Sequence, residues 1–302
     1  MSSVVHSSEK RVKANNIEIN YDTFGDRKNP ALLLIMGLAC QMILWKDEFC
    51  QNLASKGFFV IRFDNRDIGL SSKMLDLPIP NIMRLIAALQ QGEHPEVPYK
   101  ISDMAKDAIG LLDALQIKKV HVVGVSMGGM IAQQMAIEYP NRIKTLTSMS
   151  STTGNPRLPQ AKPEAMAVLL TPPSPDKTKN IEDSVKSWRV LHGSKYPFPE
   201  QYIRERSEKV FNRNFYPAGI GRQFAAILGS GSRNRLLKDL QIPTLVIHGD
   251  ADPLIPIEAG KDTANSIPEA KFLIIDGMGH TIPDEVEPQI LEAIIENAKK
   301  NL

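Results

Sequence analysis

The chain has 302 residues, enough for two domains or for one large α/β domain carrying an insertion. Its 42% hydrophobic and 23% charged residues are a globular balance that excludes intrinsic disorder. Thirty-six Lys and Arg stand against 34 Asp and Glu, and a formal charge of +2 gives no basis for nucleic acid or an anionic membrane as a partner.

Strand-like and helix-like segments alternate along the chain, the pattern of a mostly parallel sheet covered by helices. Residues 17–24 (IEINYDTF) alternate apolar and polar and predict an early strand. Residues 31–36 (ALLLIM) are continuously apolar, as a strand buried on both faces requires. A helix is predicted over 46–56, ending at Gly57, then a strand over 58–63 that runs into Asp64, Asn65 and Arg66. Residues 102–115 carry an N-cap Ser102 and helical apolar spacing. Residues 119–125 (KVHVVGV) form a strand leading straight to Ser126, and 128–138 a helix. Further strands are predicted at 143–149, 243–248 and 271–275, and a final helix at 286–299 with Val286, Ile290, Ile294 and Ala298 on one stripe.

Two stretches break the alternation. A short one, 77–98, surrounds a helical piece with prolines. The longer one, 152–241, is about 90 positions, opens Pro-rich and later turns helical; a stretch of that length outside the sheet is usually functional. It predicts a cap over the C-terminal edge of the sheet, where ligands bind in open α/β folds. The expected division is a core of 1–151 and 242–302 with a helical cap at 152–241. Cys40 and Cys50 are too few for a disulfide framework and have no metal-site partners nearby, so two free thiols are expected. The N-terminal residues lack an apolar leader and no apolar run reaches about 18 residues, so the expectation is a cytoplasmic chain without membrane insertion.

The sharpest motif is Gly124-Val125-Ser126-Met127-Gly128, a G-x-S-x-G set between a strand and a helix. Such a turn is so tight that the positions two before and two after the serine nearly touch, which calls for glycine at both. It lifts the serine hydroxyl out and aims a helix N-terminus at it. A serine hydroxyl needs a general base. Among six histidines, His280 stands in a Gly-rich loop (GMGH) after the strand 271–275 and is free to reach the sheet edge. His121 lies within a strand and reads as a core residue, His6 is in the tail, and His94 and His192 fall in the insertions with solvent exposure expected. His248 is the main competitor, but beside the acid turn it reads as structural. The imidazole in turn needs a carboxylate. The loop HGDADP after the strand 243–248 offers Asp252 and Asp250. Asp252 is preferred and Asp250 reads as a turn cap. The chain order Ser126, Asp252, His280 is that of the α/β-hydrolases.

These residues carry a family likeness over nearly the whole chain. Met36-Gly37-Leu38, Asp64 through Ser71, GVSMGG, HGDADPLIP and GMGH together resemble the α/β-hydrolase superfamily, most closely its capped esterase, lactonase and methylesterase branch of aclacinomycin methylesterase-like proteins. The resemblance implies an eight-stranded, mostly parallel sheet, a Ser–His–Asp triad, and an oxyanion hole from the backbone N–H groups of Leu38 and Met127. Many relatives have His-Gly where this chain has Met36-Gly37, so a contact made by that histidine is absent here. Asp64 through Ser71 reads as structural, with Arg66 paired to a carboxylate or carbonyls near the elbow. The expected activity is hydrolysis of small to medium, largely apolar carboxylic esters through an acyl-enzyme, by a monomer or homodimer that needs no metal or other cofactor. A lactonase, thioesterase, acyltransferase, C–C bond hydrolase, cofactor-free perhydrolase or slow-turnover ligand receptor would use the same residues. Met166, Leu169, Leu170, Phe211, Phe215 and Phe224 are expected to pack the cap onto the sheet, with an acyl pocket as the alternative. The Met127 side chain is expected near the pocket, and Cys40 in buried packing.

Overall fold

The computed structural model describes residues 4–300. Eight strands form one sheet: β1 (Lys10–Ala14), β2 (Ile17–Phe24), β3 (Ala31–Ile35), β4 (Phe59–Phe63), β5 (Val120–Val125), β6 (Ile143–Met149), β7 (Thr244–Gly249) and β8 (Lys271–Ile275). Their spatial order is β1-β2-β4-β3-β5-β6-β7-β8. The first two pairings, β1 with β2 and β2 with β4, are antiparallel, and the rest are parallel. The strand β1 is absent from the sequence reading. Its KRVKA is charged and mostly exposed, and its strand character comes from a two-residue turn at Asn15 and Asn16. Both asparagines have positive φ, 46° and 64°, as a type I′ hairpin turn requires.

The continuous apolar runs lie in the middle of the sheet. All five residues of β3 and all five of β4 are buried, because helices cover both faces. On one face α3 (Ile101–Ala114) and α4 (Met127–Glu138) pack Met104, Ile109, Leu112, Ile131 and Met135 against Leu33, Ile61 and Val122. On the other, α1 (Asp47–Ser55) and α10 (Glu287–Lys299) pack Phe49, Leu53, Ile290 and Ile294 against Leu32, Val60 and Val123. Alternate residues of one strand thus serve opposite cores, the period-two consequence of the pleat. The helix α3 starts one residue before the expected Ser102; its cap is the Asp103 carboxylate, which accepts from the Lys100 N–H at 2.8 Å.

Between β4 and α3 lies the short helix α2 (Ile82–Gln90). Between β6 and β7 the chain makes four α-helices: α5 (Pro163–Leu170), α6 (Lys177–His192), α7 (Glu200–Arg213) and α8 (Pro217–Gly229). Two arginines tie the last two to the loop after β4. The guanidinium of Arg222 on α8 grips Asp67 with two bonds of 2.9 Å, both side chains buried, and Arg213 on α7 reaches Asp64 at 2.7 Å. The approach is close: a Cβ on Gly219 would lie 2.0 Å from the Asp67 carbonyl oxygen. The helix α9 (Ile257–Ser266) covers the β7–β8 end. No helix among the described residues is long and apolar enough to cross a membrane.

Candidate active site

Parallel strands bring their following loops to one edge, and every residue singled out by the motifs follows a parallel strand. Ser126 follows β5, Leu38 follows β3, Asp252 follows β7 and His280 follows β8. Ser126 has φ 56° and ψ −122°, a conformation that costs a non-glycine residue about 1–3 kcal/mol and persists only where its surroundings enforce it. They do. The Ser126 N–H donates to the Met149 carbonyl at 2.9 Å and its carbonyl accepts from the Ser151 hydroxyl at 2.7 Å. The two glycines of the turn have no room for a side chain: a Cβ on Gly124 would sit 2.1 Å from the Gly128 carbonyl oxygen, and one on Gly128 would sit 2.1 Å from that of Ile35.

The His280 ring bridges the serine and an aspartate. Its Nδ1 lies 2.7 Å from Asp252 Oδ2 and its Nε2 lies 3.1 Å from Ser126 Oγ. A carboxylate only accepts, so Nδ1 carries the hydrogen and Nε2 is left to accept from the serine hydroxyl. The other oxygen of Asp252, Oδ1, accepts the backbone N–H groups of Leu254 and Ile255, each at 2.9 Å, which fixes the carboxylate plane. Asp250 faces elsewhere; it accepts the Gly277 N–H at 2.6 Å and closes the turn before His280. His280 is held from its backbone as well, its N–H donating to the Leu191 carbonyl at 2.6 Å.

His248 stands behind the aspartate, fully buried, with Nε2 at 2.8 Å from the Ile255 carbonyl and 3.7 Å from Asp252 Oδ2. Burial holds its imidazole below the usual value against the pull of Asp252. A neutral His248 leaves the Asp252 charge to His280. His121 is also buried, 3.0 Å from Thr145 Oγ1 through Nδ1, and burial lowers it to about 4. His192, expected in solvent, is instead buried between Thr281 Oγ1 at 2.7 Å and the Pro197 carbonyl at 3.0 Å. The end of α6 packs against the loop that carries His280, and this gives His192 its partners.

Across from the serine, the loop after β3 passes so close that a Cβ on Gly37 would contact Ser126 Cβ at 3.2 Å. Among the described residues, the N–H groups of Leu38 and Met127 enter no turn or cap hydrogen bond. Two buried amides hold this loop. Asn65 Nδ2 donates to the Met36 carbonyl at 3.0 Å. Gln223, from α8, accepts the Ala39 N–H at 3.1 Å and donates to the Arg66 carbonyl at 2.8 Å. Asn65 lies in the Asp64–Ser71 stretch read as structural, whereas Gln223 was not singled out, because a buried Gln 184 positions from its partner leaves no local signal. Arg66 itself pairs with Asp107 on α3, at 2.6 and 2.7 Å. The Met127 side chain points away from the serine into the core beside α3, a departure from the expected pocket position that follows from the helix turning at Ser126.

Ser126, His280 and the loop from Met36 to Gln41 open on a cavity of about 830 Å³, whose far wall is formed by residues of α5 to α8. Met166, Leu169, Phe211, Phe215 and Phe224 line it, whereas Leu170 does not. Cys40 also lines it, half-buried, with burial raising its thiol to about 11.

A model of the α/β-hydrolase fold family matches residues 30–285. The chain belongs to that family. It is 30% identical over 311 residues to rhodomycin D methylesterase DauP of Streptomyces sp. (strain C5), covering 94% of this chain and 96% of that protein. A second rhodomycin D methylesterase, DnrP of Streptomyces peucetius, is 31% identical over 89% of this chain and 91% of its own length. Among solved structures, the meta-cleavage product hydrolase of Pseudomonas fluorescens superposes with a TM-score of 0.74 at 20% identity, over 96% of this chain and 97% of that one, a likeness of fold. With its full-length relatives, this α/β hydrolase falls in the ester-hydrolysing, methylesterase-like branch of the family.

Proposed function

We propose that this ester hydrolase works through Ser126, His280 and Asp252 and forms an acyl-enzyme. The observation that carries the reading is the unbroken relay of 3.1 Å from Ser126 Oγ to His280 and 2.7 Å from His280 to Asp252 at the floor of an apolar cavity. In the first step His280 Nε2 takes the hydroxyl proton as Ser126 Oγ attacks the ester carbonyl. The N–H groups of Leu38 and Met127 receive the oxyanion; one such donor is typically worth about 100- to 1,000-fold in rate. The C–O bond to the leaving alcohol then breaks, and the alcohol takes the proton from His280. Water attacks the acyl-enzyme with the same histidine as base, and the acid leaves. Asp252 holds the ring in the tautomer this requires and stabilises the imidazolium.

We read α5 to α8 as a cap that completes the acyl pocket, with substrates of small to medium size and largely apolar body. The buried Arg222–Asp67 pair on α8 and the half-buried Arg213 of α7 on Asp64 support a cap fixed to the core along that side. Two free thiols, Cys40 and Cys50, fit the expected cytoplasmic setting. The test is hydrolysis of p-nitrophenyl esters of increasing acyl length by the wild type and by Ser126→Ala. Turnover that disappears in the variant supports the reading; turnover unchanged in it removes the serine from the reaction.

A further inference from the structure

Arginines held in the interior of this chain are met by acidic or amide acceptors; Arg206, half-buried in the cavity wall, stands apart. Arg62 pairs with Asp22, Arg66 with Asp107, Arg213 with Asp64 and Arg222 with Asp67. Arg233 donates to the Gln133 side chain and the Thr152 carbonyl. Arg206, on α7, lines the cavity and makes no ion pair among the described residues, and its Nη2 is buried with no hydrogen-bond partner. Its guanidinium lies over the ring of Trp188 at 4.5 Å and beside that of Tyr202 at 5.6 Å, with the Tyr202 hydroxyl as a neutral acceptor beside it. Aromatic faces orient a guanidinium and attract its charge, but they do not replace the in-plane acceptors that its fork of N–H groups calls for. A buried charged donor left without an acceptor is costly, and a ligand entering the cavity that Arg206 lines can supply one.

We propose that Arg206 is the recognition site for a carboxylate on the substrate, remote from the ester that Ser126 attacks. The substrate class is therefore a monoester that also bears a free acid, with an apolar body between the two ends. This deepens the hydrolase reading above and rests on it. A planar two-oxygen acceptor fits the guanidinium fork, and the stacked rings hold the plane in which that fork is presented. The cavity's other cation, Lys46, is already committed to Asp284 and Glu287, and Asp183 in the lining to Lys179, which leaves Arg206 as the lining cation without an ion pair among the described residues. Burial also pushes the Arg206 guanidinium below its ordinary value, as expected of a cation that lacks its anion.

The test compares matched substrates: the mono-p-nitrophenyl ester of a linear dicarboxylic acid against the p-nitrophenyl ester of the acyl chain of equal length without the second acid. The ratio of their kcat/KM values is measured in the wild type, Arg206→Gln and Arg206→Lys. The wild type is expected to favour the acid-bearing ester, with a ratio that falls as salt is raised. Arg206→Gln is expected to lower the ratio by about 10- to 100-fold, mainly through KM of the charged ester, and Arg206→Lys to restore part of it. A wild type that disfavours the charged ester at every acyl length, or a ratio unmoved in a folded Arg206→Gln, overturns the proposal while leaving the hydrolase reading intact. The wild-type preference and its salt dependence decide the matter without any variant. Hydrolysis of neither ester overturns the hydrolase reading and this proposal with it.

Discussion

Gln223 offers a way to weigh the connection between α8 and the loop that faces Ser126. The side chain is fully buried and spends both ends of its amide on that loop region, accepting from the Ala39 N–H at 3.1 Å and donating to the Arg66 carbonyl at 2.8 Å. Ala39 has φ 62°, a left-handed conformation that costs an L-residue about 1–2 kcal/mol and needs a bond to hold it. Gln223→Met keeps the side-chain volume and removes both bonds. Each partner left unmet costs about 1–3 kcal/mol, so the two together are worth about 2–6 kcal/mol. Water from the adjacent cavity is able to reach Ala39, a cavity-lining residue, which places the expected loss at the low end, about 2–3 kcal/mol. The loop next to Leu38 loosens in the same variant, and kcat is expected to fall about 10- to 100-fold with little change in KM. Gln223→Glu separates the two effects, because it keeps an acceptor for Ala39 and loses the donor to Arg66. It is expected to lose stability yet retain most of kcat. Urea unfolding and saturation kinetics on a p-nitrophenyl ester, well below each midpoint, read both quantities. Equal kcat in the wild type and a folded Gln223→Met refutes the argument that this amide holds the loop in its working position.

Other expectations concern the acid and a buried base. Asp252→Asn leaves the His280 ring in place but favours the wrong tautomer, and kcat is expected to fall about 10⁴-fold. Asp250→Asn alters only the turn bond to Gly277 and is expected to change kcat less than tenfold; the opposite ranking would reassign the acid. His121 is buried and lowered to about 4, so on acidification the unfolded chain takes up that proton before the folded one. Its contribution is complete above about pH 6.5 and declines as pH falls from there toward 4. Urea midpoints at pH 7 and pH 5 are expected to differ less in His121→Gln than in the wild type, and identical differences would contradict this.

The core strands were readable because burial on both faces leaves an apolar run, unbroken in the LLLI of β3 and interrupted in the FVIRF of β4 only by Arg62, which is buried against Asp22. The edge strand β1 leaves no such run: KRVKA is half polar, and only the Asn15-Asn16 pair between it and β2 hints at a hairpin. The residues that meet at the sheet edge were readable for a different reason. Ser126, Asp252 and His280 sit in short loops whose glycines and order carry the pattern locally, and the sheet's parallel topology does the rest. Gln223 and Arg206 have no such local pattern, since each is defined by what faces it across a long sequence separation. Met127 and His192 were placed by sequence neighbourhood alone, and the structure turns both the other way: the first step of α4 points inward, and α6 docks its last residue against the loop of His280.

The central claim, a nucleophilic Ser126 in an acyl-forming hydrolase, is tested most directly by trapping it. Incubation with a p-nitrophenyl alkylphosphonate, followed by intact mass and peptide mapping, is expected to give one phosphonyl group per chain, on the peptide containing Ser126, with loss of esterase activity in step with labelling. Ser126→Ala is expected to gain none. Activity that survives complete labelling of Ser126, or inactivation by a group attached elsewhere, would contradict the account.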